Sequence, residues 1–504
     1  MSQEQSHGPD LTAGIARTDM ADGKLLGHVG DQAVLLVHSG DELFAIDAHC
    51  THYSGPLAEG LVTGDSIRCP WHHACFGLRS GEALHPPAIS SLSTWQVEEK
   101  EGRIFVREKR LAPKPIAKSQ PSAPQNVVIV GGGAAGFAAA EMLRREGFGG
   151  GIVMLSNDPD APVDRPNLSK DYLAGSAPED WMPLRENSFY VENKIDLRLK
   201  TDVASIDTGS HHVVTADGAK VPYDRLLLAT GAEPVRLTMP GAQQPNVHTL
   251  RSFADCRAII ADAKAARTAV VIGASFIGLE TAAALRTRGL EVHVVAPEKR
   301  PMEKILGPDM GDFIRWLHEA HGVVFHLEDT IVAVEGKKAK LKSGGTLEAD
   351  LVIVGVGVRP RLTLAEQAGL KMDRGMLVDA FLETSVPDIY AAGDIARWPD
   401  KHSGMDIRAE HWVVAERQGQ TAARNMLGQR RKFDAVPFFW SQHYDVPINY
   451  VGHAEQWDTI EIDGDISAKD CLLRYRNKGR VLAVATIYRD LASLQAELEM
   501  ERAV

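Results

Sequence analysis

Twice in this chain a short apolar run breaks into a glycine-rich turn and reopens as a helix-forming segment. Val127-Val128-Ile129-Val130 runs into Gly131-Gly132-Gly133-Ala134-Ala135-Gly136, and a helical stretch follows from Phe137 to Arg145. About 140 residues later, Ala269 to Ile272 runs into Gly273-Ala274-Ser275-Phe276-Ile277-Gly278, with a helix through Leu285 and a further strand from Glu291 to Val295. In such a G-x-G-x-x-G turn the first glycine makes the tight bend and the second lets a diphosphate approach the backbone. The third lets the helix lie close to its strand, and the helix N-terminus faces the anion. Gly131, Gly133 and Gly136 fill these roles in the first copy. In the second, Gly273 and Gly278 do so, and Ser275 replaces the middle glycine, where its side chain is expected to crowd the pyrophosphate slightly. One glycine-rich turn alone is weak evidence. Two, each between a strand and a helix, call for two α/β dinucleotide-binding domains and so fix much of a 504-residue fold.

The amino-terminal part carries different chemistry. Cys50-Thr51-His52 is followed, after a gap of 16 residues, by Cys69-Pro70-Trp71-His72. Thiolates suit one iron of a [2Fe–2S] cluster and imidazoles the other. Zinc is the competitor, but zinc fingers usually separate a cysteine pair from a histidine pair on a helix. Here each pair is mixed and sits among turn formers, with Gly55-Pro56 after the first and Pro70 inside the second. The surrounding text, CTHYSGPLAEG at 50–60 and CPWHHACF at 69–76, resembles the Rieske ferredoxin family. That resemblance implies Cys50 and Cys69 on one iron and His52 and His72 on the other, with the imidazoles at the exposed end. Gly55 and Trp71 stand where respiratory Rieske proteins have a disulfide pair, and Ala74 where they have a serine bonded to a cluster sulfur. A potential nearer the ferredoxin range is therefore expected. His73 stands where the family usually has glycine and is expected to face solvent.

The remainder resembles the flavoprotein oxidoreductases with two dinucleotide-binding domains, closest to the ferredoxin-reductase and apoptosis-inducing-factor-like branch. Asp164-Arg165-Pro166-Asn167-Leu168-Ser169-Lys170, Ala229-Thr230-Gly231, Tyr390-Ala391-Ala392-Gly393-Asp394, Glu410-His411-Trp412 and Pro437-Phe438-Phe439-Trp440-Ser441 carry the likeness. It implies FAD at the first fold and NAD(P)H at the second. It also implies Arg165, Lys170, Gly231, Gly393 and Asp394 against FAD, Trp412 and Trp440 along the flavin ring, and Glu280 near the nicotinamide. Catalytic roles are expected for Lys170, Glu280, Trp412 and Trp440. The strand-end acids expected at the ribose are displaced: Ser156 with Asp158 nearby in the first fold, Ala296 with Glu298 in the second. Glu298 favours NADH, while Lys299-Arg300 leaves NADPH open.

The expected architecture is multidomain. An all-β Rieske domain over 10–108 and a Pro/Lys/Ser-rich linker over 109–125 precede a Rossmann-like FAD domain over 126–245 and 330–404. A Rossmann-like NAD(P)H domain covers 246–329, and a C-terminal α+β domain covers 405–504. Short strands are expected at Ala33 to Val37, Leu43 to Ile46 and Arg103 to Arg107. A net charge of −12 argues against a nucleic-acid footprint. No apolar run is long enough to span a membrane, and the polar first residues lack a signal-peptide core. A cytoplasmic location is the resulting expectation, and a homodimer is left open. Five cysteines make no disulfide scaffold and suit a reducing compartment; Cys75, Cys256 and Cys471 read as small buried hydrophobes. The flavoprotein part has no Cys-x-x-Cys or Cys-x4-Cys, so electrons are not expected to pass through a dithiol.

The expected function is an NAD(P)H-dependent ferredoxin-type reductase. Hydride would go to FAD, then single electrons to the chain's own Rieske cluster and an external acceptor such as an oxygenase, a cytochrome or a ferredoxin. An NAD(P)H oxidase or small-molecule reductase, and a redox-sensing signalling protein of the apoptosis-inducing-factor-like kind, are the alternatives.

Overall fold

A computed structural model of the protein describes residues 8–110 and 124–503. The two apolar runs are central strands of two parallel sheets. Asn126–Val130 lies between Gly151–Leu155 and Arg225–Leu228 in a five-stranded sheet that continues to Ile195–Arg198 on one side and Ile389–Ala391 on the other. Thr268–Ile272 lies between Glu291–Ala296 and Leu351–Val354 in a second five-stranded sheet, also parallel. Both strands are buried apart from their first residue, which explains their unbroken apolar text. The helices that follow are α1, Ala134–Arg145, and α2, Phe276–Thr287.

Both turns need glycine for the same two reasons. Gly131 and Gly273 have φ of 119° and 102°, a region costly for any residue with a Cβ. A Cβ on Gly136 would collide with the Gly131 carbonyl, and one on Gly278 would lie 2.5 Å from the Gly273 carbonyl.

The chain divides into two compact units. One holds both parallel sheets and an antiparallel sheet of five strands ordered Phe438–His443, Val446–Gly452, Arg480–Ile487, Asp470–Asn477, Thr459–Asp465; it ends at Tyr488. Helix α3, Trp412–Met426, lies along α1 in this unit. Gly419 permits that approach, since a Cβ there would strike the Ala135 carbonyl.

The other unit contains the described residues up to 110 together with those from Arg489 onward. A six-stranded antiparallel sheet includes Gln32–Ser39, Glu42–Asp47 and Arg103–Arg110, at the three strand positions expected. A four-stranded sheet, Leu61–Thr63, Ser66–Arg68, Cys75–Gly77 and Ala83–His85, carries the second Cys-His loop. Helix α4, Asp490–Arg502, completes this unit. Most of the expected linker, 111–123, lies outside the described residues.

Replacing Gly419 with valine should overpack the α1–α3 contact. The expected cost is about 1–3 kcal/mol, read as a lowered unfolding midpoint with earlier FAD release on heating.

Candidate functional site

Each Cys-His pair sits in a closed loop. Cys50 N–H donates to the Gly55 carbonyl and Cys69 N–H to the Ala74 carbonyl, both at 2.8 Å. Cys50 and Cys69 are buried, 3% and 2% exposed, while His52 and His72 are only partly so. The two thiols share a hydrogen bond, which with burial pushes Cys50 up; the same bond pulls Cys69 down. The His52 and His72 Nδ1 atoms lie 3.2 Å apart, close to the roughly 3.4 Å expected of two nitrogens on one tetrahedral metal with bonds near 2.1 Å. Burial lowers His52 to about 3, so its imidazole is neutral, as a ligand must be.

Two sulfurs at one end and two imidazoles at the other match a two-iron cluster. Among the described residues no group of three or more His, Cys, Asp or Glu forms a single-ion cage. A Cβ on Gly55 would sit 2.6 Å from Cys69 Sγ, so the missing cysteine at that place leaves room the sulfur needs. His73 does not face solvent as expected. It is fully buried, with Nδ1 2.8 Å from Glu497 Oε2.

The second site is a cavity of about 540 Å³ in the other unit, within the range of cofactor clefts. It brings together Gly133, Arg165, Lys170, Gly231, Glu280, Gly393, Asp394, Trp412 and Trp440. Of the other expected cofactor residues, Gly131, Gly136, Gly273, Ser275, Gly278 and Glu298 are not among its lining residues. Gly393 is fixed by its N–H, which donates to Gln418 Oε1 on α3 at 2.7 Å. Asp394 pairs with Arg251 at 2.8 Å, and Arg408 Nη1 donates to its carbonyl at 2.9 Å. His411 lines the same cavity and its Nδ1 has no partner, a donor or acceptor left for a ligand. The cleft therefore fits a dinucleotide with a polar chain and an aromatic ring system.

Glu280, on α2 and 4% exposed, accepts from Ser169 Oγ at 2.5 Å, Lys170 Nζ at 2.8 Å and Ser441 Oγ at 2.6 Å. Burial alone would raise its pKa, but the Lys170 charge and these hydrogen bonds outweigh it and hold the carboxyl below its usual 4.5. The bonding continues behind Ser441. His443 Nε2 lies 3.2 Å from Ser441 Oγ, and His443 Nδ1 lies 3.1 Å from His318 Nε2. Ser441 has one proton and gives it to Glu280, so His443 must donate from Nε2 and accept at Nδ1. Burial keeps both imidazoles neutral, His443 at about 4 and His318 well below its usual value. Every donor in this chain thus points toward Glu280.

At the second turn the Ser275 hydroxyl caps its own helix. It accepts from Gly278 N–H at 3.2 Å and donates to the Gly355 carbonyl at 2.7 Å. The crowding expected of it is met by this engagement with the protein's own backbone. Arg300 is bound by Asp312 at 2.8 Å and Glu303 at 3.3 Å.

Residues 125–419 match the pyridine nucleotide-disulphide oxidoreductase family, 13–96 the Rieske [2Fe-2S] domain and 438–503 the reductase C-terminal family. The chain belongs to the pyridine nucleotide-disulphide oxidoreductase family. It is 34% identical over 485 residues to apoptosis-inducing factor 3 of Homo sapiens, covering 92% of this chain and 80% of that one. It is 36% identical to rhodocoxin reductase of Rhodococcus erythropolis over 68% of this chain and 82% of the relative. Among solved structures, the covalent putidaredoxin reductase–putidaredoxin complex matches with a TM-score of 0.73 and 32% identity, over 76% of this chain and 94% of the other. The protein is an NAD(P)H-dependent flavoprotein oxidoreductase with FAD, NAD(H) and a [2Fe–2S] cluster as its cofactors. Among the described residues no helix is long and apolar enough to cross a membrane.

Sequence reasoning missed Arg251, Gln418, His443 and His318. None stands in a recognisable motif, and each acquires its partner only through folding.

Glu280→Gln leaves the partly buried Lys170 ammonium without its counter-charge. A loss of about 3–5 kcal/mol is expected at neutral pH, measured by denaturant unfolding. Because the folded pKa of Glu280 lies below 4.5, the wild-type contribution is complete above that value and is lost as pH falls through the lower one. The gap between the two proteins should therefore narrow in acid.

Proposed function

We propose that the protein is an NADH-dependent reductase that passes electrons from FAD to its own Rieske cluster and on to an external one-electron acceptor protein. The observation that carries this reading is one chain holding both a dinucleotide cavity with a Lys170–Glu280 ion pair in its wall and a two-sulfur, two-imidazole centre. When bound, FAD supplies hydride acceptance and single-electron release, and the cluster supplies one-electron carriage.

The chain's residues would bind and orient. Gly131, Gly133 and Gly136 would hold the FAD diphosphate at the N-terminus of α1. Arg165, Gly231, Gly393 and Asp394 would fix the rest of the cofactor, and Trp412 and Trp440 would flank its ring. Lys170 would stabilise negative charge arising there, with Glu280 setting the orientation of that ammonium. Gly273, Ser275 and Gly278 would hold the nicotinamide dinucleotide at α2, with Glu298 at its ribose. The carboxylates already on Arg300 favour NADH, since they compete with a 2′-phosphate for that guanidinium. Cys50, Cys69, His52 and His72 would hold the cluster, and the partly exposed imidazoles are the natural electron exit. Relatives named as rhodocoxin reductase and rubredoxin-NAD(+) reductase support a carrier protein as acceptor.

The likeness to apoptosis-inducing factor 3 supports a second reading as a redox sensor. Fast steady turnover with an added one-electron acceptor favours the reductase. Slow reoxidation with redox-dependent partner binding favours the sensor.

His72→Ala should abolish the native cluster signal and cut electron delivery to a one-electron acceptor at least tenfold. FAD reduction by NADH should stay within about twofold of wild type by stopped-flow absorbance. Collapse of flavin reduction itself would contradict the proposed order of carriers.

NADH should also exceed NADPH in kcat/KM for that reductive half-reaction by more than tenfold. Equal values would remove the role given to Arg300.

A further inference from the structure

The Rieske family match ends at residue 96 and α4 falls within the reductase C-terminal match, yet α4 belongs to the same compact unit as the Rieske residues. The contacts between them converge on the second ligand loop. Arg68 immediately precedes Cys69, and His73 immediately follows His72. Arg68 Nη1 lies 3.2 Å from Glu497 Oε2 and 3.1 Å from Glu501 Oε1, and its Nη2 lies 2.6 Å from Glu501 Oε2. His73 Nδ1 lies 2.8 Å from the same Glu497 Oε2, and its Nε2 lies 3.2 Å from Ser493 Oγ. Ser493, Glu497 and Glu501 are spaced four apart, so they form one stripe along the helix. Asp490 is the first residue of that helix.

Burial makes these contacts more than surface pairing. His73, Glu497 and Ser493 are 0%, 0% and 1% exposed, and Arg68 is 7%. A carboxylate so enclosed is tolerated only with charged partners and hydrogen bonds, and removing one partner strands the other. His73 also adopts φ 60°, a left-handed conformation that disfavours a residue with a Cβ. Glycine would take that conformation freely, but glycine could not reach Glu497 or Ser493. The strained histidine is held where its ring grips the helix.

We propose that α4 is a clamp on the second cluster loop, with Arg68, His73 and Glu497 as positioning residues that hold Cys69 and His72 in place. The cluster module is then discontinuous in sequence. Its last element is reached only after the whole flavoprotein unit, and the chain passes between the units twice. Anchoring both ends of residues 69–72 restricts how the ligands can shift when the cluster changes charge. The helix carboxylates also add fixed negative charge beside it, one of the determinants of cluster potential.

The proposal rests on Cys50, His52, Cys69 and His72 being the ligands, and His72→Ala in the full chain tests that separately. Its loss of the native cluster is expected whatever α4 does; if it keeps a native cluster, the ligand assignment fails first. Full-length Glu497→Ala and His73→Gly should keep stoichiometric FAD but lose at least half of their iron, or show a changed EPR g-tensor and reduction potential for what remains. Glu497→Gln, whose amide oxygen still accepts, should recover the iron content while the potential stays shifted. A chain ending at Tyr488 should lose most of its iron and retain FAD. If that chain fails to fold, the point variants decide. Native iron content, EPR spectrum and potential in both Glu497→Ala and His73→Gly would overturn the clamp.

Discussion

One buried carboxylate joins three distant segments of the flavoprotein unit. Glu280 rises from the helix after the second glycine turn. It takes hydrogen bonds from Ser169 and Lys170, in the segment that follows Asp164, and from Ser441 on the antiparallel sheet. A lone carboxylate at that depth would be neutral or expelled. Here the ammonium and the hydroxyls keep it charged, and the neutral His443–His318 pair orients the Ser441 proton toward it. These three segments must be brought together for the donors to converge. The cavity between them is thus defined by the same contacts that hold Lys170 in place. The charge set in the wall of that cavity and the packing of the unit are one arrangement.

The cluster unit solves a similar problem with the opposite polarity of parts. There the buried carboxylate, Glu497, comes from the last helix, and its partners, the Arg68 guanidinium and the His73 imidazole, flank the ligand loop. Arg68 supplies a fixed charge and a planar fork, which engages Glu501 through both oxygens. His73 supplies the second contact from the far side of the ligands. Both units therefore place an enclosed acid within reach of the residues assigned to the redox centre, and in both the acid is recruited from a distant stretch of chain.

That distance explains what could be read from the sequence. The glycine turns were legible because strand, turn and helix are consecutive: Gly131 and Gly273 are required by their positive φ, and Gly136 and Gly278 by a carbonyl five residues back. The Cys-His pairs were legible because the ligands lie within short loops of fixed chemistry. The strands around them followed from alternation and turn residues. His73 was misread because its surroundings in sequence are a loop tip, and its partners lie 420 and 424 residues away. Arg251 meets Asp394 across 143 residues, and Ser441 meets Glu280 across 161. Local patterning carries no information on such pairs. Ser275 shows the intermediate case: its position was visible, but its hydroxyl is committed to Gly355, on a strand end 80 residues on.

The family is named for disulphide chemistry, and this chain departs from it in a way that bears on where electrons go. Its flavoprotein unit has two cysteines, Cys256 and Cys471, both fully buried and neither in a disulfide. Burial raises the Cys256 thiol to about 12, and its sulfur donates to the Leu168 carbonyl. A thiol so protonated is a poor nucleophile and a poor electron relay. A sulfur route out of the flavin would need a reactive thiol pair, and of the two cysteines in that unit neither is in a disulfide and Cys256 is held protonated. The remaining paired thiols are Cys50 and Cys69, which lie together in the other unit with two imidazoles beside them. Two-electron entry at a nicotinamide and one-electron exit at those ligands is the division of labour that the placement of sulfur in this chain supports.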